Sequence, residues 1–253
     1  MSTGIYSRKH NTRFWHVAIP KTGSQAILEV LKSNAKGRRI GFPKDPDTGK
    51  IQHHIPMHQY EPRFIEDRVY KSLSDRKYFF TTIRNPWEWH VSSWLYHKNK
   101  NKIKMGVIAG QLDPDDHPDI SMKPGNDGWI EFETSMEEKY KSLDTWLDWM
   151  EERGDKRYDE WNCDRNSVIT YVRDQEWWLN TLRVNSLVVF KIEDHDEIKK
   201  FLKNELDISV KEIPVINKLG FGDKTKLYLT PRHKDRIYRL NYRLIRKYGY
   251  ESD

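Results

Sequence analysis

The ten residues AIPKTGSQAI, positions 18–27, constrain this chain more than any other stretch. A short, mostly apolar run from Phe14 to Ile19 reads as a buried strand that stops at Pro20. From Ser24 onward, Ile27, Leu28 and Leu31 share one helical face, so a helix starts there and ends before Gly37. A turn that leads from a strand straight into a helix leaves the first N–H groups of the helix unpaired. The helix dipole adds positive potential at the same place. Gly23 lets backbone approach an anion closely, Lys21 adds a full charge, and Thr22, Ser24 and Gln25 offer further donors. Lys21, Thr22, Gly23, Ser24 and Gln25 therefore form a candidate site for phosphate or a similar tetrahedral anion.

This turn is not the common nucleotide-binding P-loop, G-x-x-x-x-G-K-[ST]. Lys21 precedes the glycine, the first glycine is missing, and the residues before Thr22 are strand. A Mg·ATP site is the weaker reading of it.

A second strand, YFFTTI, spans residues 78–83 and delivers Arg84. Asn85 suits a helix N-cap, Pro86 the first helical position, and Glu88 follows three residues after the cap. The helix that follows carries Trp87, Val91, Trp94 and Leu95 on one stripe. Arg84 and Ser92 both reach one anion if the backbone bends over it at the cap, with the arginine fork on its oxygens. In the alternative reading, Arg84 is a structural ion pair and Ser92 a small packed residue.

Further along, Leu143, Trp146, Leu147 and Met150 share a helical face, and LVVFKI (187–192) reads as a strand. Asp194 precedes a helix with Ile198, Phe201 and Leu202 inward and is read as its cap. A last helix has Ile237, Leu240, Leu244 and Ile245 inward, and Arg236, Arg239, Arg243 and Arg246 on solvated faces. Residues 36–53 read as loop. Residues 98–130 read as a polar insertion or lid, and the DPDDHPD cluster within them as solvated loop rather than a metal site. Strands alternating with helices predict an α/β fold, a single domain over residues 1–253 with a mostly parallel central sheet flanked by helices. Ligands of such sheets bind at the carboxyl ends of strands, where both turns lie.

Composition narrows the class. The chain is 32% charged and only 36% hydrophobic, but its 10 Trp, 13 Tyr and 9 Phe exclude the aromatic-poor make-up of disordered chains. The net charge, 44 − 38 = +6, mildly favours an anionic ligand. Both signs are spread along the chain, so no nucleic-acid partner is predicted. Cys163 is the single cysteine, which rules out an intrachain disulfide and a Cys-based zinc site. No signal-peptide core or membrane-length apolar run is present, so a soluble, cytoplasmic protein with no membrane partner is expected.

Read together, PKTGSQAI and RNPWEWHVS resemble the two cofactor motifs of sulfotransferases that use 3′-phosphoadenosine-5′-phosphosulfate (PAPS), and RNPW is similar to the carbohydrate-type branch. The resemblance implies a P-loop-kinase-like α/β sandwich. It implies that Lys21, Thr22, Gly23, Ser24 and Gln25 hold the phosphosulfate, and that Arg84 and Ser92 hold the 3′-phosphate. It extends weakly to VVFKIED, to INKLGFGDK, where Lys218 is a candidate nucleotide contact, and to YRLIRKYGYE. One departure stands out: the family's second arginine of the RNP motif falls at Trp89. The resemblance also implies PAPS as co-substrate without a metal, and a small-molecule or glycan hydroxyl as acceptor. Relatives in the Golgi carry an anchor and disulfides, so a bacterial or viral source is expected.

Sulfuryl transfer needs a base, and IQHHIPMHQYEPRF offers His53, His54 and His58. The family often places a histidine, followed soon by a proline, 25 to 30 residues before the RNP turn. His54, with Pro56 behind it, fits best, His58 fits the shorter spacing, and Glu61 and Glu66 remain alternatives. Three histidines this close also suit a plain polar loop. Trp129, Trp177 and Trp178 are candidates for stacking on a sugar, whereas Trp87, Trp94 and Trp146 lie on core stripes. Two other functions fit the turns: a P-loop kinase using Mg·ATP, and a non-catalytic module that binds polyanions.

Overall fold

The computed structural model describes residues 3–34, 40–41, 79–109, 111, 137–152, 175–180, 187–214 and 228–251. The chain divides into two compact units, one of residues 1–85 with 162–220 and one of residues 86–161 with 221–253.

The first unit is built on a mixed sheet. Strands β1 (Thr3–Ser7) and β2 (Thr12–Val17) pair antiparallel, Ile5 opposite Phe14. Only residues 8–11 join them, a connection too short for anything but a hairpin, and Asn11 takes a left-handed φ of 50° within it. Strand β3 (Ile40–Gly41) adds to the free edge of β1, inside the stretch predicted as loop. On the other side, β4 (Phe79–Ile83) and β5 (Leu187–Lys191) continue parallel to β2, giving the order β3-β1-β2-β4-β5. The fold is therefore α/β, but the sheet is mixed rather than mostly parallel. The antiparallel pairing of β1 with β2 and with β3 makes it so.

Helix α1 (Ser24–Ser33) begins where the apolar periodicity begins. Strand β2 ends two residues earlier than predicted: Ala18 and Ile19 stay buried but leave the ladder on the way to the turn. Ala26, Ile27, Val30 and Leu31 of α1 pack with Ile198, Leu202 and Leu206 of α5 (His195–Leu206) and with Ile5, Phe14, Phe80 and Phe190 of the sheet. Every residue of β4 is buried, as befits a central parallel strand. Asp194 stands at the N-cap of α5, as predicted, without a side-chain capping bond. The short helix α4 (Gln175–Asn180) buries Gln175 and Trp178 completely.

The second unit is helical among the described residues: α2 (Pro86–Ile108), α3 (Leu143–Glu152), α6 (Pro231–Leu240) and α7 (Tyr242–Tyr248). Helix α2 runs well past residue 98, where the polar insertion was expected to open. Its buried side includes His90, Ser93, His97, Asn101 and Lys104, a polar stripe at helical spacing that an apolar-pattern search does not see. The indoles of Trp87 and Trp94 donate to the carbonyls of Lys234 (3.0 Å) and Tyr140 (2.9 Å), and that of Trp146 to His90 Nδ1 (3.3 Å). Trp89 is fully buried edge-on to the His90 ring, so at this position the unit holds a packed indole where the motif's arginine was expected.

The last helix is broken at Asn241 into α6 and α7, and one of its arginines is not solvated. Arg236 is buried and reaches three carboxylates of α3: Glu151 by two bonds of 2.8 Å, Asp148 at 2.6 Å and Asp144 at 3.2 Å. Arg239, Arg243 and Arg246 are exposed, as predicted. Among the described residues no helix is long and apolar enough to cross a membrane.

Candidate functional site

The turn at residues 20–25 closes on one carbonyl. Pro20 ends the strand, and the backbone reverses through two left-handed positions, Lys21 (φ 65°) and Gly23 (φ 77°). This turns the Ile19 carbonyl into the bend, away from water, where it needs donors. The Thr22 and Ser24 hydroxyls supply them, each at 3.0 Å, and Thr22 Oγ1 also lies 3.4 Å from Thr82 Oγ1. Both side chains are buried. Each hydroxyl has one hydrogen, and in this structure it is given to the Ile19 carbonyl. Lys21, Gly23 and Gln25 alternate with them and are half-buried.

Gly23 is fixed by its surroundings as well as by its φ. A Cβ added there would stand 2.5 Å from Ile192 Cγ1, just past the end of β5. With no side chain at Gly23, the turn seats directly against β5. Gly23 is the N-cap of α1 and makes no side-chain cap; its carbonyl accepts from Ala26 (2.9 Å) and Ile27 (3.3 Å). Among the described residues, the N–H groups of Thr22, Gly23, Ser24 and Gln25 have no backbone partner. Unused N–H groups at a helix start, flanked by left-handed residues, form the kind of concave nest that holds anions.

Lys21 and Arg84 supply the charge. They follow β2 and β4, neighbouring parallel strands, at the carboxyl ends of both. Burial, and then the Arg84 guanidinium, pull the Lys21 ammonium down to about 8 from its ordinary value of 10.5. The nearby guanidinium thus adds to the cost of keeping Lys21 protonated.

Arg84 is held by its own backbone. Its N–H donates to Gln175 Oε1 at 2.6 Å, and its carbonyl accepts from Gln175 Nε2 at 2.8 Å. The next N–H, of Asn85, donates to Glu193 Oε1 at 2.7 Å. Neither Gln175 nor Glu193 was singled out from sequence. The only signal was VVFKIED, which places an acidic residue after β5; nothing local ties Gln175 to a residue 91 positions away.

Ser92 belongs to the second unit, half-buried on α2. His53, His54, His58, Glu61, Glu66, Trp129, Lys218 and the DPDDHPD cluster lie outside the described residues. Trp178 is fully buried, so it has no face to offer a sugar. Compared with known proteins, the chain matches no protein-family model, no curated protein and no solved structure.

Proposed function

We propose that this chain is a sulfotransferase that moves a sulfuryl group from PAPS to an acceptor hydroxyl, on a carbohydrate or another small molecule. One observation carries the reading: Lys21 and Arg84 lie together at the carboxyl ends of adjacent parallel strands, beside four N–H groups that have no backbone partner among the described residues. A nucleotide with two separate anionic groups matches that chemistry, and the paired motifs around these two residues resemble those of PAPS enzymes. The finer fold, a P-loop-kinase-like sandwich, belongs to the same proposal and is supported by the β2–turn–α1 unit with β4 alongside.

In the proposed reaction the acceptor oxygen attacks sulfur in line as the bond from sulfur to the bridging phosphate oxygen breaks. His54, or His58, takes the hydroxyl proton, and 3′-phosphoadenosine-5′-phosphate leaves. Positioning and electrostatics do most of the work. Protonated Lys21 and the turn N–H groups receive the charge that develops on the departing 5′-phosphate. Arg84 binds the 3′-phosphate, with Ser92 and Lys218 assigned to the nucleotide by resemblance alone. Because the hydroxyls of Thr22 and Ser24 are given to Ile19, the contribution of these residues to the anion is through their peptide N–H groups.

The test is calorimetric titration with 3′-phosphoadenosine-5′-phosphate, beside Mg·ATP, on the native chain and on Lys21→Ala and Arg84→Ala. Metal-independent binding of the bisphosphate, weakened in both variants, is the expected result. Heat with Mg·ATP alone would replace the proposal with a kinase. Silence with both, together with salt-sensitive binding of a sulfated polymer, would replace it with a polyanion-binding module.

A further inference from the structure

We infer that Gln175 and Glu193 are positioning residues: they brace the Arg84–Asn85 backbone from two sides and so keep the Arg84 guanidinium beside Lys21. As an account of phosphate binding, this rests on the sulfotransferase reading above.

The β4–β5 ladder ends with Ile83 opposite Lys191 and one further bond, from Ile192 N–H to the Ile83 carbonyl at 2.7 Å. Among the described residues the β4–β5 pairing goes no further, and Gln175 takes up the next residue of the chain. Its planar amide meets both polar groups of the residue at once, accepting from Arg84 N–H and donating to the Arg84 carbonyl, as a neighbouring strand would. Glu193, on the other side, takes the next N–H. A fully buried glutamine amide is costly unless both its ends are satisfied, and the Arg84 backbone satisfies both. Gln175 is itself anchored by α4, whose Trp178 and Leu179 are buried. The Arg84 backbone is thus held at both of its polar groups.

The experiment reads the two cations directly. Lysines are labelled as isotope-enriched dimethyl-lysine and titrated by NMR, with the Lys21 signal assigned from Lys21→Arg. In Gln175→Met and in Glu193→Ala, Arg84 moves away and the Lys21 midpoint rises from about 8 by roughly half a unit. Glu193→Gln, which keeps the acceptor, leaves the midpoint in place. Affinity for 3′-phosphoadenosine-5′-phosphate falls by about tenfold in Gln175→Met, and in an Arg84→Ala background the same substitution changes it less than about twofold. An unmoved Lys21 midpoint in both brace variants overturns the inference, and so does an equal loss of affinity with and without Arg84. If the native chain does not bind the bisphosphate, the sulfotransferase reading fails, and the Lys21 midpoints still decide the brace. Should Gln175→Met and Glu193→Ala not fold, amide hydrogen exchange of the native chain decides. The Arg84 and Asn85 amides must exchange as slowly as those of Phe79–Ile83, and fast exchange overturns the brace.

Discussion

Lys21 carries the clearest pH signature of any single residue here. On the sulfotransferase reading its protonated form receives an anion, and burial, followed by the nearby Arg84, lowers its midpoint to about 8. Bisphosphate affinity should therefore be constant up to roughly pH 7 and fall by up to about tenfold per unit above the midpoint, with proton uptake on binding. Lys21→Ala should bind weakly and without this slope; calorimetry in buffers of different ionisation enthalpy reads both. The sign for folding runs the other way. A lysine whose folded value is depressed destabilises the fold while it is charged, and that cost is relieved between pH 8 and 10.5. Gly23 offers a second test. With φ at +77° and Ile192 Cγ1 2.5 Å from its missing Cβ, Gly23→Ala should cost about 3 kcal/mol in urea unfolding. Gly249 shares the left-handed backbone, φ +61°, but has open space around it, so Gly249→Ala should cost only about 1 kcal/mol. Adding Ile192→Ala to Gly23→Ala should destabilise by less than the sum of the two single changes, because it removes the clashing atoms.

Helices α3 and α6 are clasped by Arg236, and their response to its loss is a property of the pair. Three carboxylates, Asp144, Asp148 and Glu151, converge on that one guanidinium, while His233 at 3.2 Å holds the Asp144 carboxyl below the usual carboxylate range. Arg236→Met should cost about 2 kcal/mol at neutral pH, less than a fully enclosed pair would, because the carboxylates are about half exposed. A depressed carboxylate stabilises the fold above its unfolded value and loses that contribution as pH falls through its folded value. The native protein should thus lose this support on acidification, and the penalty of Arg236→Met should shrink over the same range as the repelling carboxylates protonate. Denaturant unfolding of both chains at neutral pH and at pH values below the ordinary carboxylate value of 3.8 reads the difference. How far such elements were legible varied with the kind of side chain they bury. The start of α1 at Ser24 and of α2 at Pro86 followed from apolar spacing and cap residues. The second half of α2 did not, because its buried side is His97, Asn101 and Lys104, and buried polar residues look like surface in a sequence.

On the scale of the whole chain, a ligand that binds only the folded state stabilises it by mass action. 3′-Phosphoadenosine-5′-phosphate at a hundred times its dissociation constant should add about 2.7 kcal/mol, and a chelator should leave that gain intact. A melting transition unmoved by the bisphosphate, yet raised by Mg·ATP and returned to its starting point by chelator, would instead mark a kinase. The strand-end turns at residues 20–25 and 84–85 were readable in advance because their chemistry is local: proline stops the strand, glycine permits the bend, and a helix start exposes its N–H groups. The alternation of strands and helices was readable for the same reason. The mixed sheet was not, because it depends on β1, a five-residue strand, TGIYS, whose short pattern gives little periodic signal. Tertiary structure alone decided where the Thr22 and Ser24 hydroxyls donate, because the carbonyl that takes them is buried by the fold. It alone decided that Gln175 should grip Arg84 across 91 positions, since a contact at that separation depends on how the sheet and α4 assemble. The sequence by itself determined that a basic, glycine-bearing turn would follow the strand. The packing around that turn determined that its two hydroxyls turn inward to the Ile19 carbonyl and that Gly23 lies against Ile192.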